Sequence, residues 1–150
     1  MTRKLPSPYR PRALAPILRV PGLDYDVLDE LLGYALRRQG KLDEAAETYR
    51  MALAVDPRHA DSHTNLGVAL LQQRKPEEAL RAIRTALEID PRHVGAHTNL
   101  GVALREQGNL DEAVRCFRTA MEINSHHADA HQNLGVALRD RIVGSGLAQG

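Results

Sequence analysis

The stretch His63-Thr-Asn-Leu-Gly-Val-Ala-Leu70 occurs again, without a single change, at residues 97–104 of this chain. A near copy, His131-Gln-Asn-Leu-Gly-Val-Ala-Leu138, follows after the same interval of 34 residues. The longer segments 60–93 and 94–127 agree at about half of their positions. A fixed period of this length indicates one supersecondary unit that is stacked on copies of itself. Such stacks form extended surfaces, which favours a binding function over a catalytic one.

Apolar residues within each unit recur at helical spacing in two runs with a short break between them. In the unit 94–127 the break is Gly108-Asn109, which is typical of a helix end followed by a turn. Asp111-Glu112 then place carboxylates where the dipole of a second helix favours them. Asp56-Pro57 and Asp90-Pro91 close two units, because proline cannot continue a helix. Each unit is therefore predicted to be an antiparallel helix pair, and the fold class is all-α.

Small residues recur at one phase of every unit and predict a close approach between helices. A glycine within a helix costs about 0.5–1 kcal/mol relative to alanine, so its repetition requires a compensating contact. We expect this contact to be with the second helix of the same unit, which has alanines in phase. The glycines are Gly33, Gly67, Gly101 and Gly135, and the alanines are Ala45, Ala79 and Ala113.

These positions resemble the tetratricopeptide repeat (TPR), whose pattern combines Leu-Gly, large residues, two alanines and a closing proline. The unit 60–93 has Leu66-Gly67, Leu70, Ala79, Ile83, Ala86 and Pro91 at these places. The resemblance implies an α-solenoid of antiparallel helix pairs wound into a right-handed superhelix. Its array would occupy residues 23–141, with full repeats at 26–59, 60–93 and 94–127 and a half repeat at 128–141.

Composition and charge are typical of one soluble domain flanked by short tails. Cys116 is the only cysteine, so no intramolecular disulfide can form, which favours a reducing compartment and a cytoplasmic location. Residues 1–22 contain five basic side chains, no acidic ones and several prolines, and are predicted to be largely disordered. Three roles are open for this segment: a solubilising leader, an arm that pairs with an acidic partner, or an arm that lies in the protein's own groove. Residues 142–150 form a predicted C-terminal tail.

Two classes of partner are disfavoured by the same composition. Nucleic-acid binding usually requires an extended basic surface, and this chain has only one short basic run with a single tyrosine. No nucleic-acid partner is therefore predicted. No apolar run approaches the length that a membrane span requires.

The inner surface of such a superhelix would present three rows of in-phase side chains. In the family that this chain resembles, the first helix of each pair lines the concave face. The predicted peptide-binding residues on that face are Thr64, Asn65, Val68, Thr98, Asn99, Val102, Arg105, Gln132, Asn133 and Val136. An asparagine amide has two donors and an acceptor, enough to pair with both backbone groups of an extended peptide. The alternative is that these asparagines only cap helices or face solvent.

The row of asparagines resembles the ladder in the repeats of O-linked N-acetylglucosamine transferases. Leu31 stands where the first unit would have its asparagine, so the row begins at Asn65. Another mode of the family, a clamp for the acidic C-terminal tails of heat-shock chaperones, needs Lys and Asn on the first inner helix. Glu30 and Tyr34 occupy those places, so this mode is disfavoured.

Histidines recur as three His-x-x-x-His pairs, and two imidazoles at this helical spacing can chelate Zn²⁺ or Ni²⁺. The pairs are His59/His63, His93/His97 and His127/His131. The first histidine of each pair is predicted to lie in a turn and the second at a packing position. No cysteine or carboxylate recurs in phase to complete a tetrahedral set, so no metal site and no cofactor are predicted.

No set of residues typical of catalysis is found, such as a Ser–His–Asp triad, a phosphate-binding loop or carboxylates paired in phase. The sequence therefore predicts a noncatalytic scaffold that binds an extended peptide segment of a partner protein. The alternative is an N-terminal fragment or relative of a repeat-bearing glycosyltransferase whose catalytic domain is absent here.

The half repeat at 128–141 keeps the apolar pattern of its neighbours but is not followed by a second helix of that pattern. Leu134, Gly135 and Leu138 would then remain uncovered, which predicts a homodimer through this face. The alternative is that Ile142, Val143 and Leu147 fold back over it.

Overall fold

A computed structural model describes residues 25–146, and these residues form seven α-helices. The helices are α1 (Tyr25–Arg38), α2 (Leu42–Val55), α3 (Ala60–Gln72), α4 (Pro76–Ile89), α5 (Val94–Glu106), α6 (Leu110–Ile123) and α7 (Ala128–Gly144). They are arranged as antiparallel pairs, α1 with α2, α3 with α4 and α5 with α6, followed by α7 alone. The all-α class and the paired helices are therefore confirmed. The predicted tail 1–22 and the last residues, 147–150, lie outside the described residues.

Turn residues explain where the first helix of each pair ends. Gly40 after α1 and Gly108 after α5 have positive φ angles of 76° and 82°, the left-handed conformation that glycine adopts without strain. Arg74 occupies the equivalent place after α3 with a φ of 62°, and it is the only non-glycine residue of positive φ in the described part of the chain. Pro76 then begins α4, where the N–H that proline lacks is not needed.

Histidines mark the start of the later first helices. Nδ1 of His59 accepts a hydrogen bond from the N–H of Ser62 at 3.2 Å, and Nδ1 of His93 accepts one from Ala96 at 3.0 Å. Each imidazole thereby satisfies a backbone donor that the first turn of a helix leaves without a partner. His127 precedes α7 without such a side-chain bond.

The mid-helix glycines of the full units lie against the second helix of their own pair, as predicted. Their nearest partners are large side chains, and at Gly67 the backbone oxygen of the in-phase Ala79 would also lie 3.3 Å from a Cβ atom. A Cβ atom on Gly101 would lie 2.5 Å from Cε1 of Phe117, and one on Gly67 would lie 2.5 Å from Cγ1 of Ile83. Tyr49 takes the same place opposite Gly33. Glycine is therefore required because a buried aromatic or branched side chain fills the space beside the backbone.

The contacts between units place the first helices on the inside of the curve. α1 contacts α3, α3 contacts α5 and α5 contacts α7. Within the described residues, by contrast, no Cα atoms of α2, α4 and α6 come within 8 Å of each other. Elements on the inner radius of a curved stack lie closer together than those on the outer radius. The concave face is therefore formed by α1, α3, α5 and α7.

The helix α7 runs to Gly144, three residues beyond the half repeat predicted at 128–141. Ile142 and Val143 belong to this helix and are 48% and 56% exposed, so they do not fold back as a cap. A Cβ on Gly135 would meet no atom within 4 Å, in contrast to the glycines of the full repeats. Leu147, the other predicted cap residue, lies outside the described residues.

Candidate peptide-binding surface on the concave face

Two asparagines of the predicted row have side-chain amides that are available on the inner wall. Asn65 on α3 and Asn99 on α5 are half-buried, and within residues 25–146 neither amide has a hydrogen-bond partner. Asn133 on α7 differs, because its Nδ2 donates to the backbone oxygen of Asp129 at 2.8 Å. The row therefore contains two amides without a partner, followed by one that is bound to its own helix.

The valine row forms an apolar strip beside these amides. Val68, Val102 and Val136 are each half-buried, on α3, α5 and α7 respectively. An open pocket of about 370 Å³ lies between α3 and α5. It is lined by Val68, Leu71, Gln72, Arg74, Asn99, Val102 and Glu106. The pocket lining thus contains three of the predicted residues, Val68, Asn99 and Val102, together with the charged side chains of Arg74 and Glu106.

The two threonines of the predicted site lie beneath this surface instead of on it. Thr64 and Thr98 are only 4% and 5% exposed. Their hydroxyls donate to the carbonyl oxygens of Ala60 at 2.9 Å and of Val94 at 3.0 Å, one helical turn earlier. The prediction that these two threonines line the peptide-binding surface is therefore wrong. A threonine in a helix can bond its hydroxyl to the backbone one turn earlier and become buried.

The two remaining residues of the predicted set lie outside the pocket. Arg105 on α5 is half-buried and Gln132 on α7 is exposed, and neither lines the space between α3 and α5. Gln132 takes the phase of the buried threonines but belongs to α7, where it remains accessible.

A family model described as tetratricopeptide repeat matches the chain at residues 30–93, 66–122 and 98–141. Together these matches span the helices described above, including the concave wall. The chain belongs to the tetratricopeptide repeat family.

Solved TPR structures superpose on this array. The second TPR domain of human RPAP3, in complex with the HSP70 peptide SGPTIEEVD, is 27% identical with a TM-score of 0.66, and the match covers 73% of this chain and 91% of that one. The first TPR of Spaghetti (RPAP3), bound to the HSP90 peptide SRMEEVD, is 22% identical with a TM-score of 0.70, covering 76% and 90%. The Sgt2 TPR domain from Aspergillus fumigatus is 18% identical with a TM-score of 0.75, covering 85% and 84%. The latter two, at their lower identity, show the fold alone. Among curated proteins no match was found.

The N-terminal end of the TPR groove is apolar, which sequence reasoning did not recognise. Val27, Leu31 and Tyr34 are 47%, 59% and 54% exposed. They lie on α1 in phase with Asp61, Asn65 and Val68 of the next repeat. The guanidinium of Arg37 lies 5.8 Å from the centre of the Tyr34 ring. The only sequence signal was the break in the asparagine row at Leu31, which does not reveal how exposed the side chains are.

The histidine pairs of the TPR units do not converge as chelating pairs. Nε2 of His63, His97 and His131 lies 2.9, 2.9 and 2.6 Å from the backbone oxygens of Pro57, Pro91 and Ser125. The first histidines of two pairs, His59 and His93, use Nδ1 to cap a helix instead. Each second histidine therefore connects its helix to the preceding turn.

Cys116 lines an open pocket of about 280 Å³ formed by α4, α5 and α6, so it lies outside the concave wall. Burial raises the pKa of this thiol, and the nearby carboxylate of Glu112 adds to the effect. The thiol therefore remains protonated at neutral pH, which is typical of a packing residue rather than of a nucleophile. None of the described helices is both long and apolar enough to cross a lipid bilayer.

Proposed function

We propose that this TPR chain is a noncatalytic scaffold that binds an extended peptide segment of a partner protein along its concave face. The observation that supports this most directly is the pair of unpartnered amides of Asn65 and Asn99 beside the valine-lined pocket. These amides are accessible from the groove and have no partner within residues 25–146, so a peptide backbone could take the place of water as their hydrogen-bond partner.

The repeat geometry suits an extended backbone. Packed helices lie about 8–10 Å apart, whereas an extended peptide rises about 3.3 Å per residue. Successive amides on α3 and α5 would therefore meet backbone groups about three residues apart. The amides would bind the peptide backbone, and the pocket lined by Val68 and Val102 would accept an apolar side chain of the peptide.

The charge of the concave face disfavours an acidic peptide at its N-terminal end. Carboxylates of Glu30 and Asp61 lie there, on α1 and α3, within 4.8 Å of one imidazole and of each other. The two RPAP3 structures that resemble this chain are complexes with HSP70 and HSP90 peptides that end in Glu-Glu-Val-Asp. We expect this groove to prefer a neutral or basic segment, since like charges would face each other here.

The asparagine row is also the feature that favours the alternative function. In a repeat-bearing glycosyltransferase the same amides would present a peptide substrate to a catalytic domain. An open reading frame that continued from this chain into such a domain would support that alternative.

The test is a selection of peptides from a random library on the intact chain, followed by affinity measurements with Asn65→Ala/Asn99→Ala. Loss of two hydrogen bonds, each worth about 0.5–1.5 kcal/mol, should weaken binding about ten-fold or more while the melting temperature changes little. Asn133→Ala is the matched control, because that amide is already bound to Asp129. SGPTIEEVD is expected to bind more weakly than the selected peptides, and Glu30→Lys/Tyr34→Asn should improve its binding. A double alanine variant with unchanged affinity and a clearly lower melting temperature would show that the asparagines are structural.

A further inference from the structure

Three side chains from two neighbouring repeats converge at the junction between α1 and α3. They are the carboxylate of Glu30 from α1, the imidazole of His59 at the start of α3 and the carboxylate of Asp61 in its first turn. One ligand atom from each lies within 4.8 Å of the others, and Nε2 of His59 is 3.9 Å from Oε1 of Glu30. The imidazole is 19% exposed and the two carboxylates are 35% and 59% exposed, so the cluster opens onto the concave face.

We propose that this junction is a binding site for a divalent transition-metal ion of the zinc type. The ligands would be Nε2 of His59 and one carboxylate oxygen each from Glu30 and Asp61, with water in the fourth position. Zn²⁺ binds such nitrogen and oxygen atoms at about 2.0–2.2 Å, so ligand atoms of a tetrahedral site lie about 3.3 Å apart. The 3.9 Å between His59 and Glu30 requires only a small movement of a long, partly exposed side chain. A cation would also relieve the repulsion between the two carboxylates.

Nδ1 of His59 faces two groups of Ser62, the hydroxyl Oγ at 2.7 Å and the backbone N–H, which donates to Nδ1 at 3.2 Å. When Nε2 binds a metal, the proton of the neutral ring must be on Nδ1. Metal binding would therefore exchange the capping bond from the Ser62 N–H for a bond from Nδ1 to the Ser62 hydroxyl. A histidine ligand usually donates its other N–H in this way, which fixes the tautomer and the orientation of the ring.

His93 lies next to the same cluster but has a different environment. Its Nε2 is 2.7 Å from Oδ1 of Asp61, while its Nδ1 accepts the N–H of Ala96. Ala96 takes the place of Ser62 and has no hydroxyl to accept a proton from Nδ1, so His93 keeps its proton on Nε2 and donates to Asp61. His93 is therefore assigned an outer role, in which it orients the carboxylate that binds the metal.

The cluster is not a consequence of the repeat. At the next junction the equivalent residues are Thr64, His93 and Gly95, and at the third they are Thr98, His127 and Asp129. Within residues 25–146 the cluster of Glu30, His59 and Asp61 is the only group of at least three such side chains that meets this distance. The aspartate recurs at the third junction, but the glutamate occurs only at the first, so neither later junction has both carboxylates.

The experiment is a titration of the metal-free chain with Zn²⁺ by calorimetry and with Co²⁺ by visible absorption. One ion per chain, tetrahedral Co²⁺ bands and a higher melting temperature at saturating Zn²⁺ are the expected results. The variant Glu30→Thr/Asp61→Gly gives the first junction the residues of the second, which fold in the same array. It should lose affinity at least about ten-fold. Ser62→Ala copies Ala96 and should weaken binding about 10–100-fold through the lost outer hydrogen bond.

The control is His63→Gln, which disrupts the His59/His63 pair of the sequence but leaves the cluster intact. Its affinity for Zn²⁺ should equal that of the unchanged chain. Binding of three ions per chain, or binding that survives Glu30→Thr/Asp61→Gly but is lost in His63→Gln, would assign the metal to the histidine pairs and overturn the proposal. Absence of any binding by the unchanged chain would overturn it as well.

Discussion

Single glycines show most directly how each repeat packs, because the same residue lies in two different environments. A Cβ atom added to Gly101 would lie 2.5 Å from the ring of Phe117. A Cβ atom added to Gly135 would have no other atom within 4 Å. Phe117 is fully buried, so its ring cannot move away cheaply. Gly101→Ala should therefore destabilise the fold by about 1–3 kcal/mol, and Gly101→Leu should cost more. Gly135→Ala should stabilise it by about 0.5–1 kcal/mol, since alanine is the better helix former.

Urea denaturation of the two alanine variants measures this difference directly, because they make the same chemical change at in-phase sites. Opposite signs of the change in unfolding free energy are expected. Equal effects would show that Phe117 does not restrict the backbone of α5.

The free energy of unfolding is expected to depend on pH in the alkaline range because of the thiol of Cys116. Burial raises its pKa above the ordinary value of 9.0, so the folded chain holds this proton more tightly than the unfolded chain. The stabilisation is fully present below pH 9.0 and is lost as the pH rises through the raised pKa. Burial also raises the pKa of Tyr49 from 10.0, against the opposing charge of Arg37, so a further loss follows at higher pH.

Melting temperatures between pH 8 and pH 11 test this expectation. The unchanged chain should lose stability through this range, and Cys116→Ala should show a smaller loss at the lower end. An identical profile for both proteins would contradict a role for the thiol.

At the scale of helices and turns, the sequence predicted most of the structure because the determinants are local. Helical spacing, Gly108 and the Asp-Pro pairs each act within a few residues of the boundary that they define. The helix α7 continues past the half repeat predicted at 128–141 because no residue before Gly144 ends it. Sequence periodicity does not show that Thr64 and Thr98 are buried. A threonine whose hydroxyl bonds to the backbone one turn earlier has the same position in the repeat as one that faces solvent.

The candidate sites were less predictable because they depend on contacts between units. Asn65 and Asn99 were found by phase, yet the pocket also includes Arg74, which belongs to a turn. The cluster of Glu30 with His59 and Asp61 joins two helices of different repeats. Only the stacking of α1 on α3 brings these groups together.

The turn between α3 and α4 contains strain that the other turns avoid. Arg74 has a φ of 62° where Gly40 and Gly108 stand in the neighbouring repeats. A left-handed conformation costs a residue with a side chain about 1 kcal/mol or more, and glycine adopts it freely. Arg74→Gly should therefore stabilise the array by about 1 kcal/mol. Since Arg74 also lines the pocket, the same variant should weaken binding of peptides that present an acidic group there.

Thermal unfolding and peptide affinity together separate the two effects. Arg74→Ala is the control, because it removes the guanidinium but keeps a side chain in the strained conformation. It should lose affinity without gaining stability, and a gain of equal size in both variants would exclude backbone strain as the cause.

At the scale of the whole molecule, repetition provides a continuous wall and departures from it provide the local chemistry. The concave face begins with exposed apolar residues on α1 and the acidic junction with α3. It continues with the amides of Asn65 and Asn99 and ends at α7, where Asn133 is bound to its own helix. A partner peptide would therefore meet a different surface at each end, which gives it a preferred direction.

The other end of the array has an apolar face that no described helix covers. Gly135, Ile142 and Val143 are exposed along α7, whereas Leu134 and Leu138, which the sequence predicted to be uncovered, are half-buried against the core of the preceding repeat. In the full repeats the equivalent glycines lie beneath a large side chain of a second helix. An end unit needs a polar outer face to remain separate from its copies, and this one keeps the apolar pattern of its neighbours. We therefore predict a two-fold dimer through this face of α7, since a self-complementary apolar patch is buried most simply by a second copy.

Sedimentation velocity over a range of protein concentrations tests the dimer. The unchanged chain should show concentration-dependent association, and Ile142→Lys/Val143→Lys, which changes only exposed side chains, should be monomeric because four lysines would face each other across the two-fold interface. Asp129→Lys/Gln132→Lys places the same number of lysines on exposed positions of α7 outside the strip, and it should still associate. A monomer at high micromolar concentration in the unchanged chain would contradict the dimer and would favour a cover supplied by residues outside 25–146.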